Sequence, residues 1–292
     1  MIIANPIYDI VFKKLMEHRD IARGVLERIL DTKISELDFA SQEYTTASQD
    51  HRLTFFRLDF KARIRTSEGW KHVLIELQKA RLQSDVDRFR MYLAEEYRSV
   101  SEVQTRTGRV QRKGLPIITI YFFGYTIDPR LPGAFKIERQ YVDLITGKAL
   151  EQRCDVMERL THDAYAVQIR RLTDQQRNEV EDILAIFRQD HPADPKGHTL
   201  NIDETSSHGP LYQRIVRTLS GLTAQPDVQR DMALEDEMFM MLEYEIEEER
   251  RKREEAECKR EEAECKREEA EQKYAEAQAE IARLRSLLKQ DG

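Results

Sequence analysis

Three polar residues set in apolar surroundings are the first candidates for chemistry: Asp59 in "RLDFKARI", and Glu76 with Gln78 in "HVLIELQKA". A carboxylate and an amide two residues apart share one face of a strand. "TSEG" (66–69) separates the two alternating stretches and reads as a hairpin turn. Pairing Arg65 with Trp70 across it sets Asp59 directly opposite Glu76, with Cβ atoms about 4.5–5.5 Å apart. Like charges so placed repel, so a compensating cation is expected. A divalent ion is one candidate, since Mg²⁺ is typically held by one or two carboxylates with waters and phosphate oxygens. A bridging Lys or Arg is the other, and Arg57 and Lys61 lie on the same face. A loop one residue longer or shorter would shift the register and separate the pair.

The elements that must position these residues follow from periodicity. "NPIYDIVFKKLMEH" reads as a first helix with Asn5 as N-cap and Pro6 at its first position. Asp9 and Lys13 form an i,i+4 pair on a face away from Tyr8, Phe12 and Leu15. A second helix covers about 19–30. In "LTFFRLDFKARIR" the period is two: Leu58, Phe60, Ala62 and Ile64 on one face, Arg57, Asp59, Lys61 and Arg63 on the other. "SDVDRFRMYLAEEYRSV" is a helix with a Ser84/Asp87 capping box; Val86, Phe89, Leu93, Tyr97 and Val100 are expected to face inward. "LPIITIYFFGYTI" is a near-continuous apolar strand of the kind buried at a sheet centre. "FKIERQYVDLI" and "CDVMERL" add an edge strand or ordered loop, and 174–188 a closing helix. The result is a mixed sheet flanked by helices, α/β or α+β.

Composition narrows the function classes. The chain has 292 residues and a net charge of −7, with the acidic excess concentrated towards its C-terminus. Ahead of that lie basic clusters: Lys61, Arg63, Arg65 and Lys71, then Arg106, Arg109, Arg112 and Lys113. No secretion signal and no membrane-length apolar run are apparent, so a reduced, cytoplasmic setting is expected. Cys154, Cys258 and Cys265 suggest neither disulfides nor a metal site, and Cys154 reads as a small buried residue. His162, His191, His198 and His208 show no ligand spacing. No glycine-rich phosphate loop occurs, so no nucleotide cofactor is expected. Trp70, beside the turn, reads as hairpin packing.

Taken in order, "YDIVFKKLM" (8–16), "RLDFKARI" (57–64), "HVLIELQKA" (72–80), "DRFRMYLAEEY" (87–97) and "LPIITIYFFGYTI" (115–127) resemble the PD-(D/E)XK nuclease superfamily. Within it they are most similar to the Rpn-type recombination-promoting nuclease/transposase family. The resemblance covers about residues 1–188 and implies a restriction-endonuclease-like central sheet flanked by helices. It implies a DNA endonuclease linked to recombination or transposition, using Mg²⁺ or Mn²⁺. Asp59 and Glu76 match the metal-binding acids, with the Leu77 carbonyl completing the set. Asp9, Arg88 and Tyr92 match accessory positions, and Lys61 and Arg63 are expected to contact nucleic acid. Gln78 stands where the superfamily carries Lys. Lys would stabilise developing negative charge, whereas Gln orients water by hydrogen bonding. That departure keeps open an alternative: an inactive nuclease fold serving as a DNA-binding or scaffolding protein.

Beyond 188, residues 189–210 read as a linker or long loop, 211–244 as a helical connector, and 245–292 as a charged heptad-repeat helix. In "REEAECKREEAECKREEAEQK" (253–273), Ala256, Ala263 and Ala270 share one heptad position. The companion seam, Arg253, Arg260 and Arg267, is charged, so coiled-coil character is expected nearer 274–288. Homodimerisation through this helix follows as an expectation.

Overall fold

The computed structural model describes the backbone of residues 1–40, 43–47, 53–57, 59–79, 83–104, 108–173, 175, 178–202 and 209–288. The chain begins with β1 (Ile2–Ala4), α1 (Asp9–Met16), α2 (Arg19–Leu30) and β2 (Glu36–Phe39). There follow β3 (Glu43–Ala47), β4 (Leu53–Arg57), β5 (Phe60–Thr66), β6 (Gly69–Gln78) and α3 (Gln83–Arg98). Next come β7 (Ser101–Gln104), β8 (Val110–Lys113), β9 (Ile117–Phe123), β10 (Ala134–Ile137), β11 (Tyr141–Val142) and β12 (Ala149–Leu150). The remaining elements are α4 (Asp155–Leu160), β13 (His162–Gln168), α5 (Glu179–Ala185), β14 (Thr199–Asn201), α6 (Pro210–Leu222) and α7 (Pro226–Leu288).

The fold is mixed α/β. Six strands make the central sheet in the order β10-β13-β9-β6-β5-β2. β6, β9 and β13 run parallel to one another and the outer pairings are antiparallel. Parallel neighbours require a crossover, and α3 lies between β6 and β9 in the chain. The near-continuous apolar run Ile117–Phe123 lies inside the sheet, between β13 and β6.

The hairpin has the register expected of it. Phe60 pairs with Ile75, Arg65 with Trp70 and Thr66 with Gly69. Phe60, Ala62 and Ile64 are buried against α1, α2 and α6 in the larger core, which also takes in Val73, Ile75 and Phe122. Each such fully buried aliphatic or aromatic side chain contributes about 1.5–3 kcal/mol. On the opposite face, Leu74 and Ile117 pack with Phe89 and Tyr92 of α3.

Several expectations are corrected. The period-two stretch 53–65 is not one strand: β4 pairs with β3 in a separate two-stranded sheet, and Asp59 lies at a bend before β5. Leu58 and the Arg57 side chain fall outside the described residues. α1 begins at Asp9, not Pro6, and its N-cap is Tyr8. Asn5 is instead buried, bonded to Gln189 and donating to the Gly197 carbonyl at 2.7 Å. On α3, Val86 and Tyr97 are exposed, as is Val100 beyond its end, and the inward stripe is Phe89, Tyr92 and Glu96 with Leu93 half-buried beside them. The Ser84 side chain of the expected capping box lies outside the described residues. Cys154 is exposed. "CDVMERL" forms a helix, α4, and the closing helix is the shorter α5. Within the expected linker, β14 pairs with β1, and within the expected connector, α6 buries Tyr212, Ile215 and Leu219 in the core.

Compact packing divides the chain into Met1–Glu235 and Asp236–Gly292. In the second unit, α7 carries i,i+4 ion pairs such as Arg250–Glu254 at 2.9 Å and Arg267–Glu271 at 2.9 Å. No helix among the described residues is long and apolar enough to cross a membrane.

Candidate active site

Side chains from α1, the β5–β6 hairpin and α3 meet at the C-terminal end of β6. Glu76 and Gln78 are both buried, on the face of β6 that α3 covers. Asp59 sits one residue before β5, where its Oδ2 accepts the Leu77 N–H at 2.5 Å. That contact places it next to Glu76, as the register requires.

Positive charge reaches the cluster from two helices. Lys13 Nζ lies 2.6 Å from Asp9 Oδ2 and 3.9 Å from Asp59 Oδ1. Arg88 Nη2 donates to Glu76 Oε1 at 2.9 Å, from one turn into α3. Asp9, at the first turn of α1, donates its backbone N–H to Glu235 Oε2 at 3.0 Å, and its Oδ1 is buried without a hydrogen-bond partner. Burial is the main reason that the Asp59 carboxyl is pushed well above the usual carboxylate range. Glu76 and Asp9 add repulsion in the same direction, while the Leu77 amide opposes it.

Gln78 Oε1 accepts the Tyr125 hydroxyl at 3.0 Å, which fixes the side-chain amide. The Gln78 carbonyl accepts the Gly124 N–H at 2.8 Å. Gly124 is required there, because a Cβ would lie 2.4 Å from the Lys79 carbonyl oxygen. The Gly124 carbonyl in turn accepts Arg170 Nε at 2.9 Å, anchoring an exposed guanidinium at the same end of the sheet. Lys79 follows the strand, and its Nζ lies 3.5 Å from the Tyr8 ring centroid.

Asp9, Asp59, Glu76, Gln78 and Arg88 are thus brought together. Tyr92, one turn after Arg88 on α3, is buried with Phe89, Leu74 and Ile117. Lys61 is turned inward rather than towards a phosphate, with Nζ 2.6 Å from the buried Glu96. His72 Nδ1 also contacts Glu96, and its Nε2 lies 3.1 Å from Ser101 Oγ. Burial raises the Glu96 carboxyl, but His72 and Lys61 outweigh it and bring it down to about 2. Arg63 pairs with Asp38 at 2.8 Å and covers the Trp70 ring at 4.4 Å. Lys13 and Arg88 bring positive charge to the carboxylates, and Lys61 pairs with Glu96; the Arg57 side chain, the other expected cation, lies outside the described residues. The Asp9–Lys13 spacing was a usable signal for Lys13; Tyr125 and Arg170 had none at short range.

Among the described residues, no three His, Cys, Asp or Glu side chains are grouped so as to hold a metal ion by themselves. Two clefts of about 490 Å³ lie away from the cluster, one lined by Glu27, Asp31 and Asn178, the other by Gly133, Arg171 and Leu184. Protein-family models, curated proteins and solved structures were all compared with the chain, and none matches.

Proposed function

We propose that the chain is a Mg²⁺-dependent endonuclease, accepting Mn²⁺ in its place, that hydrolyses DNA phosphodiester bonds. The carrying observation is the placement of Asp59 beside Glu76 at one strand end, with Gln78 on the same face. The helix–hairpin–helix–parallel-strand order of α1, β5–β6, α3 and β9 supports a restriction-endonuclease-like fold of the Rpn type.

The donor set fits a hard divalent cation. Asp59, Glu76 and the Leu77 carbonyl would hold it, and mutual repulsion among buried carboxylates is what such an ion relieves. Bound there, it supplies Lewis acidity and charge neutralisation at the scissile phosphate. Gln78, its Oε1 held by Tyr125, keeps its amide N–H groups to orient the attacking water or a phosphate oxygen. Lys13 and Arg88 hold the carboxylates in place, and Arg170 is anchored to meet a backbone phosphate. A role in recombination or transposition, a cytoplasmic location, and dimerisation through a coiled coil in α7 belong to the same proposal.

The second reading, an inactive fold that binds DNA or scaffolds partners, is favoured by two observations: Arg88 already pairs with Glu76, and Gln78 stands in place of the expected Lys. Plasmid nicking in Mg²⁺ tests the first reading. Wild type should nick and Asp59→Ala should not. Equal behaviour of the two proteins would reject it, and DNA binding without cleavage would favour the second reading.

A further inference from the structure

Beside the carboxylates, β9 carries an aromatic row that the chemistry above leaves unused. Tyr121 pairs in register with Glu76 and Phe123 with Gln78, so both rings share the face of the candidate site. Tyr121 and Phe123 lie 5.8 Å apart with ring planes within 11° of parallel. Tyr125 continues the row, 5.6 Å from Phe123 at 64°. All three are half-buried, and Phe123 and Tyr125 belong to neither apolar core cluster. On the neighbouring strand, the residue paired with Tyr121 is the small Ala166.

The row is built into the site. Phe89 packs on Tyr121 at 4.5 Å, closing its α3 end. At the other end the Tyr125 hydroxyl holds Gln78, and Arg170 is fixed to the intervening Gly124. Aromatic rings at alternate positions of a sheet strand, next to a cation, form the kind of surface on which unpaired bases stack. A duplex keeps its bases stacked inside and offers only backbone and groove edges to such rings.

We infer that Phe123 and Tyr125 form a stacking platform for unpaired nucleobases, so that the preferred substrate is single-stranded DNA or a strand opened at the cut. The inference rests on the proposed nuclease reading for its choice of ligand. Its test is separable: fluorescence anisotropy on the full-length Asp59→Ala protein, which reports binding without cleavage. The ligands are a short labelled DNA oligonucleotide, single-stranded and as the duplex of the same sequence.

The single strand should bind about tenfold or more tightly than the duplex. Adding Phe123→Leu should weaken single-strand binding about 5- to 150-fold, the usual cost of one lost stacking partner, and leave duplex binding unchanged. Phe123→Tyr, which keeps a ring, should restore it, as that rescue separates stacking from general damage. Equal affinity for the two ligands, or Phe123→Leu and Tyr125→Leu both within twofold of the parent, would overturn the inference. Wild-type cleavage together with that result rejects the platform alone. Tight, ring-dependent single-strand binding with no cleavage in Mg²⁺ rejects the nuclease reading alone.

Discussion

Asp59 accepts the Leu77 N–H at 2.5 Å from a bend just outside β5, and that bond places its carboxyl against both Glu76 and Asp9. An acid is held where its charge is costly, the usual trade of stability for function. Asp59→Asn keeps an acceptor for Leu77 and removes the charge. Near neutral pH it should raise stability, since the buried charge that burial, Glu76 and Asp9 disfavour is gone. Thermal unfolding should show a rise of about 2–4 °C per kcal/mol. The sign is fixed by linkage: the folded carboxyl binds its proton more tightly than the unfolded one. Wild-type stability should therefore increase as pH falls through the folded value, levelling off as the unfolded carboxyl protonates, and Asp59→Asn should lack that increase.

Glu96 has the opposite dependence. Its carboxyl is depressed to about 2 against an ordinary 4.5, so its contribution is present above the unfolded value and is lost as pH falls from 4.5 through 2. Glu96→Gln leaves Lys61, only 12 % exposed, beside a neutral partner. Urea unfolding should register a loss of about 3–5 kcal/mol. The paired change Glu96→Leu with Lys61→Met should recover most of it.

Arg88 separates stability from metal affinity. Glu76 is 2 % exposed in its side chain, and Arg88→Ala removes its ion pair. Stability without metal should fall by about 3 kcal/mol. Divalent-ion affinity measured by calorimetry should rise, because the carboxylates become less neutralised. A fall in both would show that Arg88 only supports the fold.

Gly124→Ala tests the backbone contact under Gln78. A Cβ there meets the Lys79 carbonyl oxygen at 2.4 Å and carbon at 3.1 Å. Backbone must shift, costing about 1–3 kcal/mol, and the Gly124 N–H to Gln78 carbonyl bond moves with it. Cleavage should fall more than stability alone accounts for, read at a temperature where the variant remains folded.

How far these relationships were legible in the sequence differs by residue. The Asp59–Glu76 juxtaposition followed from a turn within residues 66–69 and a period of two, because a hairpin turn determines register locally. The central position of β9 followed from its near-continuous apolar run. β13 carries no local strand signal: "HDAYAVQ" has small and polar residues where an interior strand usually has branched ones, and it lies in the sheet through pairing with β9 and β10. The bend at Asp59 was hidden, since alternation continues across it while β4 leaves to pair with β3. On α3, Glu96 is buried only because His72 and Lys61 await it from distant strands, a compensation that helical periodicity does not display. The inward turn of Lys61 is hidden from the sequence for the same reason.

The most decisive measurement is Mg²⁺-dependent DNA cleavage by wild type, Glu76→Gln and Gln78→Lys, with chelator and Mn²⁺ as controls. Wild type should cut only with a divalent ion, Glu76→Gln should lose activity by two orders of magnitude or more, and Gln78→Lys should retain or increase it. Cleavage by Glu76→Gln at the wild-type rate, or wild-type cleavage that persists in chelator, would contradict a divalent-ion site at Asp59 and Glu76.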